Sequence, residues 1–245
     1  VAPRLHVLLT KEELDGERLP GKVVVVVDVL FATTSIAAAL AHGAAEVVPA
    51  LDAASARAEA ASRPPGSWLL AGERDAVTLP GFADPTPLAL LRLDLAGRAL
   101  VYATTNGTVA LRRAAGAAAV YAGAIANGRA LAGHLARRHA GETVLLACAG
   151  SAGRFNLEDF CGAGFLAALL LGAPGAAWEP SDAALAAREL ALRGDTPALL
   201  AAGRVGQMMR ERGLDAEVAY ASRSSHLAVV PELRDGAVRA ASPAP

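Results

Sequence analysis

Three short turns concentrate the residues that could do chemistry. Asp28 closes the all-valine run Val23–Val27, and Thr33, Thr34 and Ser35 follow it. Thr104, Thr105, Asn106, Gly107 and Thr108 come directly after Leu100–Ala103, and Gly150, Ser151, Ala152, Gly153 and Arg154 come after Thr143–Cys148. Each turn stands where an apolar run gives way to an Ala- or Leu-rich stretch with helical character. Backbone N–H groups at a helix start face outward, and the helix dipole adds partial positive charge there, so each turn is a candidate anion site. The hydroxyls of Thr33, Thr34, Ser35, Thr104, Thr105 and Thr108 can add donors. The same residue types cap helices without any ligand, but three such turns in one sheet favour anion binding. Arg154 lies within a glycine turn, where its guanidinium offers a forked grip on phosphate, carboxylate or sulfonate.

Carboxylates supply the second half of the chemistry. Asp28 sits at the end of a strand buried on both faces, where a charge needs a cation, a donor or water. Glu73 follows Trp68–Ala71 through Gly72, and Glu158 and Asp159 enter the helix after the third turn. These four could give hard oxygen ligands to Mg²⁺, which keeps several waters of its own. Glu158 and Asp159 equally suit the first turn of a helix with no metal at all. His134 and His139 share an Arg-rich helical stretch and are expected to face solvent. Several established motifs are missing: G-x-S-x-G, the G-x-G-x-x-G spacing, a G-K-[ST] after the glycines, and a D-x-D-x-T, since Val29, Leu30 and Phe31 follow Asp28.

The elements that must position these turns follow from periodicity. Val23–Val27, Ala45–Pro49, Leu100–Ala103, Ala118–Ala122 and Thr143–Cys148 read as strands, and Ile36–Ala41, Val109–Ala115 and Phe155–Leu171 as helices. Gly43 and Gly116 stop the first two helices. The alternation predicts a layered α/β/α fold with a mixed, largely parallel sheet built from repeated strand–turn–helix units, with ligands at the carboxyl ends of the strands. A single domain over residues 1–240 with a disordered tail over 241–245 is expected, with surface loops at Arg63–Gly66 and Gly81–Pro87.

Composition narrows the class. The 245 residues are 53% hydrophobic and 19% charged, which excludes a disordered chain, and only 4% are aromatic, so the core must rest on Ala, Val and Leu. A net charge of −1 without a basic block argues against a nucleic-acid partner. Cys148 and Cys161 read as buried thiols of a reducing compartment, and no charged-then-apolar leader opens the chain, so a cytoplasmic location is expected. Phe160–Trp178 carries no charge, but Gly172, Pro174 and Gly175 interrupt it, so a buried helix fits better than a membrane span. A homodimer is the base-rate expectation. Asparagine occurs only at 106, 127 and 156, and lysine only twice against twenty-one arginines, so the few amides are candidates for a purpose.

The string Val27-Asp28-Val29-Leu30-Phe31-Ala32-Thr33-Thr34, then Ala71-Gly72-Glu73-Arg74, Thr104-Thr105-Asn106-Gly107-Thr108 and Cys148–Asp159, resembles the 2-phosphosulfolactate phosphatase family. The likeness runs in order down to Val229-Val230-Pro231. It implies a Mg²⁺-dependent phosphatase acting on a small anionic substrate, 2-phospho-3-sulfolactate, as in archaeal coenzyme M synthesis. By the same resemblance Asp28, Glu73, Thr104, Thr105, Asn106, Gly107, Arg154, Glu158, Asp159 and Asn127 fall on motif positions, and Arg74 is a candidate helper. Asp28, Arg154 and Glu73 are the expected catalytic groups; Asp28, Glu158 and Asp159 the expected metal ligands; and Thr33, Thr34, Arg74, the Thr104–Thr108 turn, Asn127, Gly150 and Gly153 the expected substrate-binding set. Two departures stand out. Phe31 replaces the arginine usual in the family, and Asp84-Pro85-Thr86-Pro87 replaces its Gly-Asn-Ser-Pro. The alternatives are a phosphatase for another phosphorylated hydroxy acid, or a phosphate- or sulfonate-binding protein without turnover.

Overall fold

The computed structural model describes residues 2–242. In chain order its elements are β1 (Arg4–Leu8), β2 (Val23–Val27), α1 (Ala32–Ala41), β3 (Glu46–Ala50), α2 (Ala53–Ala61), β4 (Trp68–Arg74), β5 (Val77–Thr78), α3 (Pro87–Leu90), β6 (Ala99–Ala103), α4 (Gly107–Arg113), β7 (Ala119–Gly123) and α5 (Gly128–Arg138). Then come β8 (Val144–Cys148), α6 (Leu157–Leu171), β9 (Glu179–Pro180), α7 (Asp182–Arg193), α8 (Thr196–Ala202), α9 (Arg204–Glu211), α10 (Asp215–Ser222), β10 (Pro231–Arg234) and β11 (Ala237–Ala240).

The strands form one mixed sheet in the order β5-β4-β6-β3-β11-β10-β7-β2-β8-β1-β9. The valine strand β2 pairs in parallel with β7 on one side and β8 on the other. Val23, Val25 and Val27 pack into an apolar cluster with α5, α6 and α7, while Val24 and Val26 join the opposite cluster with α1 and α4. Successive strand side chains point to opposite faces, so helices on both sides demand apolar residues at every position, and only a run like this one serves. The layered α/β architecture expected from the sequence is thus present.

The middle of the sheet has no counterpart in that expectation, and neither do β1, β5 and β9. The antiparallel hairpin β10–β11 inserts between β3 and β7 and joins two parallel halves. Its strands come from the last described residues, far in sequence from the strands they join. The expected tail falls partly outside the description, since residues 243–245 are not described.

Two local expectations are corrected. His134 and His139 are buried, at 4% and 7% exposure. Their Nε2 atoms lie 3.1 and 2.8 Å from the Tyr121 hydroxyl, and His139 Nδ1 lies 2.8 Å from Glu142 Oε1. This hydrogen-bond chain removes the need for solvent, and burial lowers the pKa of His134. The Gly81–Pro87 segment is not simply a surface loop: Pro85, Thr86 and Pro87 are buried, and Glu217 of α10 accepts from Thr86 Oγ1 at 2.7 Å and from Leu88 N at 2.8 Å. Cys148 and Cys161 are free and buried, as expected. Among the described residues no helix is long and apolar enough to cross a membrane.

Candidate active site

The carboxyl ends of β2, β4, β6 and β8 open into one cleft of about 290 Å³. Its lining includes Asp28, Glu73, Thr104, Thr105, Asn106, Gly150 and Ser151, so residues of all three chemistry-bearing turns meet there. They meet because α4 packs across the sheet from β6 towards β2 and α1. β6 and β2 stand five places apart in the strand order, yet a β-carbon on Gly107, at the start of α4, would lie 2.7 Å from Asp28 Oδ2 and 2.4 Å from the Ala32 β-carbon. Only glycine permits this approach, which sets the second turn directly against the acid of the first.

The local folding of each turn explains what its side chains are free to do. Thr33 closes the first turn on itself: its Oγ1 accepts from Asp28 N at 3.0 Å and donates to Asp28 O at 2.8 Å. Thr34 Oγ1 donates to Val29 O and Ser35 Oγ to Pro85 O. Thr104 and Thr108 bond to each other's backbone N–H groups, which caps α4. Asn127 accepts from Ala124 N and donates to Ala122 O and Val229 O. Thr33, Thr34, Thr108 and Asn127 therefore hold backbone in place and do not line the cleft. Thr104 does line it, while spending its hydroxyl on the cap.

The acids divide in the same way. Asp159 is buried and accepts from Val29 N and Gly150 N, each at 3.0 Å, with Asn156 Nδ2 at 3.5 Å. It ties the first turn to the third. Burial, then the neighbouring Glu158, pushes its pKa up to about 8 against the pull of those donors. Glu73 receives Thr105 N at 2.7 Å, Thr105 Oγ1 at 3.1 Å and Ala76 N at 2.6 Å, so it organises the second turn from the adjacent strand β4. Asp28 faces the cleft with a lighter load: its Oδ1 accepts from Ala32 N at 3.3 Å at the start of α1. Burial raises its pKa well above the ordinary carboxylate range, Asp159 and Glu73 add to the rise, and Lys11 opposes it.

The cations stand differently from the sequence-based expectation. Arg154 is exposed and absent from the lining, and its backbone is bonded both ways to Ser151 in a tight turn. Arg74 is exposed too and stands next along β4 to the cleft-facing Glu73, so strand alternation turns it to the other face. The guanidinium that lines the cleft belongs to Arg204, the first residue of α9. It donates to Ser151 Oγ and, at 3.0 Å, to Asn156 Oδ1. Lys11, buried at 6% exposure, places its ammonium 2.9 Å from Asn106 Oδ1 and 3.3 Å from Ala149 O. Sequence reasoning missed both. The available signals were the scarcity of lysine and the Gly203-Arg204 helix start. Gly150 and Ala152, at φ +60° and +51°, and Gly153, at +67°, shape the third turn, and a β-carbon on Gly150 would lie 2.6 Å from Arg154 O.

Among the described residues no three His, Cys, Asp or Glu side chains gather to hold a metal ion. Asp159 has both oxygens on N–H donors. Glu158 keeps a buried Oε2 without a hydrogen-bond partner, but that atom faces Gly203, 2.9 Å from where a β-carbon there would stand, and Glu158 does not line the cleft. Asp28, a buried acid, keeps an uncommitted oxygen at the cleft, in a field where two acids outweigh Lys11. These residues fit a Mg²⁺ held by one carboxylate, water and the ligand's own oxygens, a common arrangement for that ion at phosphates.

An α/β sheet whose strand-end turns bring an acid and an amide to one cleft, where α9 adds a guanidinium, is an architecture for small anions. The comparisons agree. The model of the 2-phosphosulpholactate phosphatase family matches residues 8–236, and the chain belongs to that family. A protein of Symbiobacterium thermophilum named probable 2-phosphosulfolactate phosphatase is 40% identical over 226 residues, covering 91% of this chain and 96% of its own length. Proteins with the same name from Carboxydothermus hydrogenoformans and Deinococcus radiodurans are 35% and 37% identical, over 94% and 87% of this chain and 92% and 88% of theirs.

Proposed function

We propose that this chain hydrolyses the phosphate monoester of a small hydroxy acid in a Mg²⁺-dependent reaction, with 2-phospho-3-sulfolactate as the reference substrate that its relatives' names supply. The observation that carries the reading is the contact of Gly107 with Asp28, which places an uncommitted acid oxygen beside an oriented amide.

Hydrolysis requires a water oxygen to bond to phosphorus while the ester P–O bond breaks and the leaving oxygen takes up a proton. The protein's work is positioning and charge. Asn106 gives its oxygen to Lys11, which leaves its Nδ2 donor for a phosphoryl oxygen. Arg204, held by Ser151 and Asn156, adds charge-assisted donors to the same oxygens. Asp28, anchored through Oδ1 by the α1 N-terminus, would hold the metal on its other oxygen. When bound, Mg²⁺ neutralises phosphoryl charge and polarises the phosphorus centre. Glu73 and Asp159 keep the turns in register. Phosphate release from an aryl phosphate and from 2-phosphosulfolactate, with Mg²⁺ and with EDTA, tests this directly. Metal-dependent release is expected. Measurable ligand binding with no release from either ester points instead to a binding protein.

A further inference from the structure

The cleft lining is of two unlike kinds. One is polar, with Asp28, Asn106 and Arg204. The other is apolar: Phe31, Val205, Met208, Met209 and Leu214 all line it, and all belong to the same packed cluster that fills the space between the sheet and the α6 side. Charge is just as lopsided. Among the described residues the lining holds one cation, Arg204, against four carboxylates, Asp28, Glu73, Asp75 and Asp84. The nearby Lys11 is spent on Asn106 and Ala149 O, and Arg212 donates to Ala76 O.

The phosphate and the carboxylate of a phosphorylated hydroxy acid, placed at Asn106, Arg204 and a metal on Asp28, use up the available positive charge. A third strong anion on the same small molecule must then lie against Phe31 and α9 or beside the acids. Against the apolar wall it loses water without gaining a donor, which is costly for any charge. Beside the acids it meets like charge. An apolar substituent meets neither penalty and gains contact with the wall.

We infer that the cleft takes a phosphate monoester of a hydroxy acid whose remaining substituent is apolar, an alkyl or aryl group seated against Phe31 and α9, in preference to one bearing a sulfonate. The inference deepens the phosphatase reading and rests on it for the position of the phosphate. Discrimination of about tenfold or more is the scale on which a pocket tells such groups apart.

The test compares 2-phospho-3-phenyllactate, 2-phospholactate and 2-phosphosulfolactate with the full chain. It measures kcat/KM in Mg²⁺ and equilibrium binding in EDTA, where metal-dependent turnover is silenced. Phenyllactate ester is expected to lead the sulfonate by about tenfold or more. Phe31→Arg, or Met208→Lys at the less buried position should the first variant fold poorly, is expected to reverse the order. Where turnover occurs, the kcat/KM ratio decides; where none occurs, binding decides. No turnover on any ester, with phenyllactate ester bound best, sinks the hydrolase reading and leaves this inference standing. Equal or better use of the sulfonate by the unmutated chain overturns the inference, and so does a failure of all three esters both to turn over and to bind.

Discussion

The buried Lys11 ammonium lies 2.9 Å from Oδ1 of Asn106, which lines the cleft. An ammonium has donors only, so it settles which way the amide points and turns Nδ2 away from the lysine. Lys11→Met is expected to lower kcat/KM by about 100–1,000-fold, the scale for losing one preorganised donor. Asn106→Ala should cost a similar factor, and the double variant little more than either, because the two residues act as one unit. Additive losses would separate them.

Arg204 and Arg154 give a matched pair. Arg204→Met removes the guanidinium that lines the cleft and bonds to Ser151 and Asn156, and kcat/KM should fall by about 100-fold. Arg154→Met alters an exposed side chain outside the lining and should leave turnover within about twofold and stability within about 0.5 kcal/mol. Steady-state kinetics of the two purified variants checks this, and the reverse ranking would mean that the third turn is oriented differently.

Gly107→Ala puts a methyl 2.4 Å from the Ala32 β-carbon and 2.7 Å from Asp28 Oδ2. Alanine is a better helix former than glycine, so propensity alone would stabilise α4. The clash should win, costing about 1–3 kcal/mol in a urea melt and displacing Asp28. A stabilised and fully active variant would show that the second turn does not press on the acid.

Glu158 carries a pH signature. It is 1% exposed with one oxygen unpartnered, and burial pushes its pKa from 4.5 up to about 7. The folded state therefore holds this proton more tightly than the unfolded state. Stability is unaffected below the ordinary carboxylate range, falls as pH rises from 4.5 towards 7, and stays at the lower level above it. Glu158→Gln lacks that slope. In EDTA it should gain on the unmutated chain from pH 5 to pH 8 by roughly 2–3 kcal/mol. An offset between the two proteins that does not change with pH would contradict this.

How far the sequence disclosed all this differs by residue. Val23–Val27 announced a central strand because helices on both faces leave no polar position, and its observed bounds agree. Asp28 and the Thr104–Gly107 turn were legible because a polar residue at the end of such a strand has few explanations. Thr33, Thr34 and Asn127 were legible as polar but not as occupied, since their partners Asp28, Val29 O and Val229 O are set by backbone geometry. Arg204 and Lys11 were hidden for a different reason. Each reaches the cleft from an element whose place is fixed by packing, α9 over the third turn and the segment after β1 against Asn106, and no local pattern carries that information. Arg154 misled because a glycine turn can aim its neighbour either way.

The central claim is that Asp28 is the acid around which phosphate hydrolysis is organised. Asp28→Asn keeps the shape of the side chain and removes its charge, so the most direct measurement is Mg²⁺-dependent phosphate release by this variant beside the unmutated chain, with circular dichroism confirming that both are folded. A loss of about 1,000-fold or more in turnover is expected, with phosphate-ester binding retained. Turnover within a few fold of the unmutated protein would contradict the account.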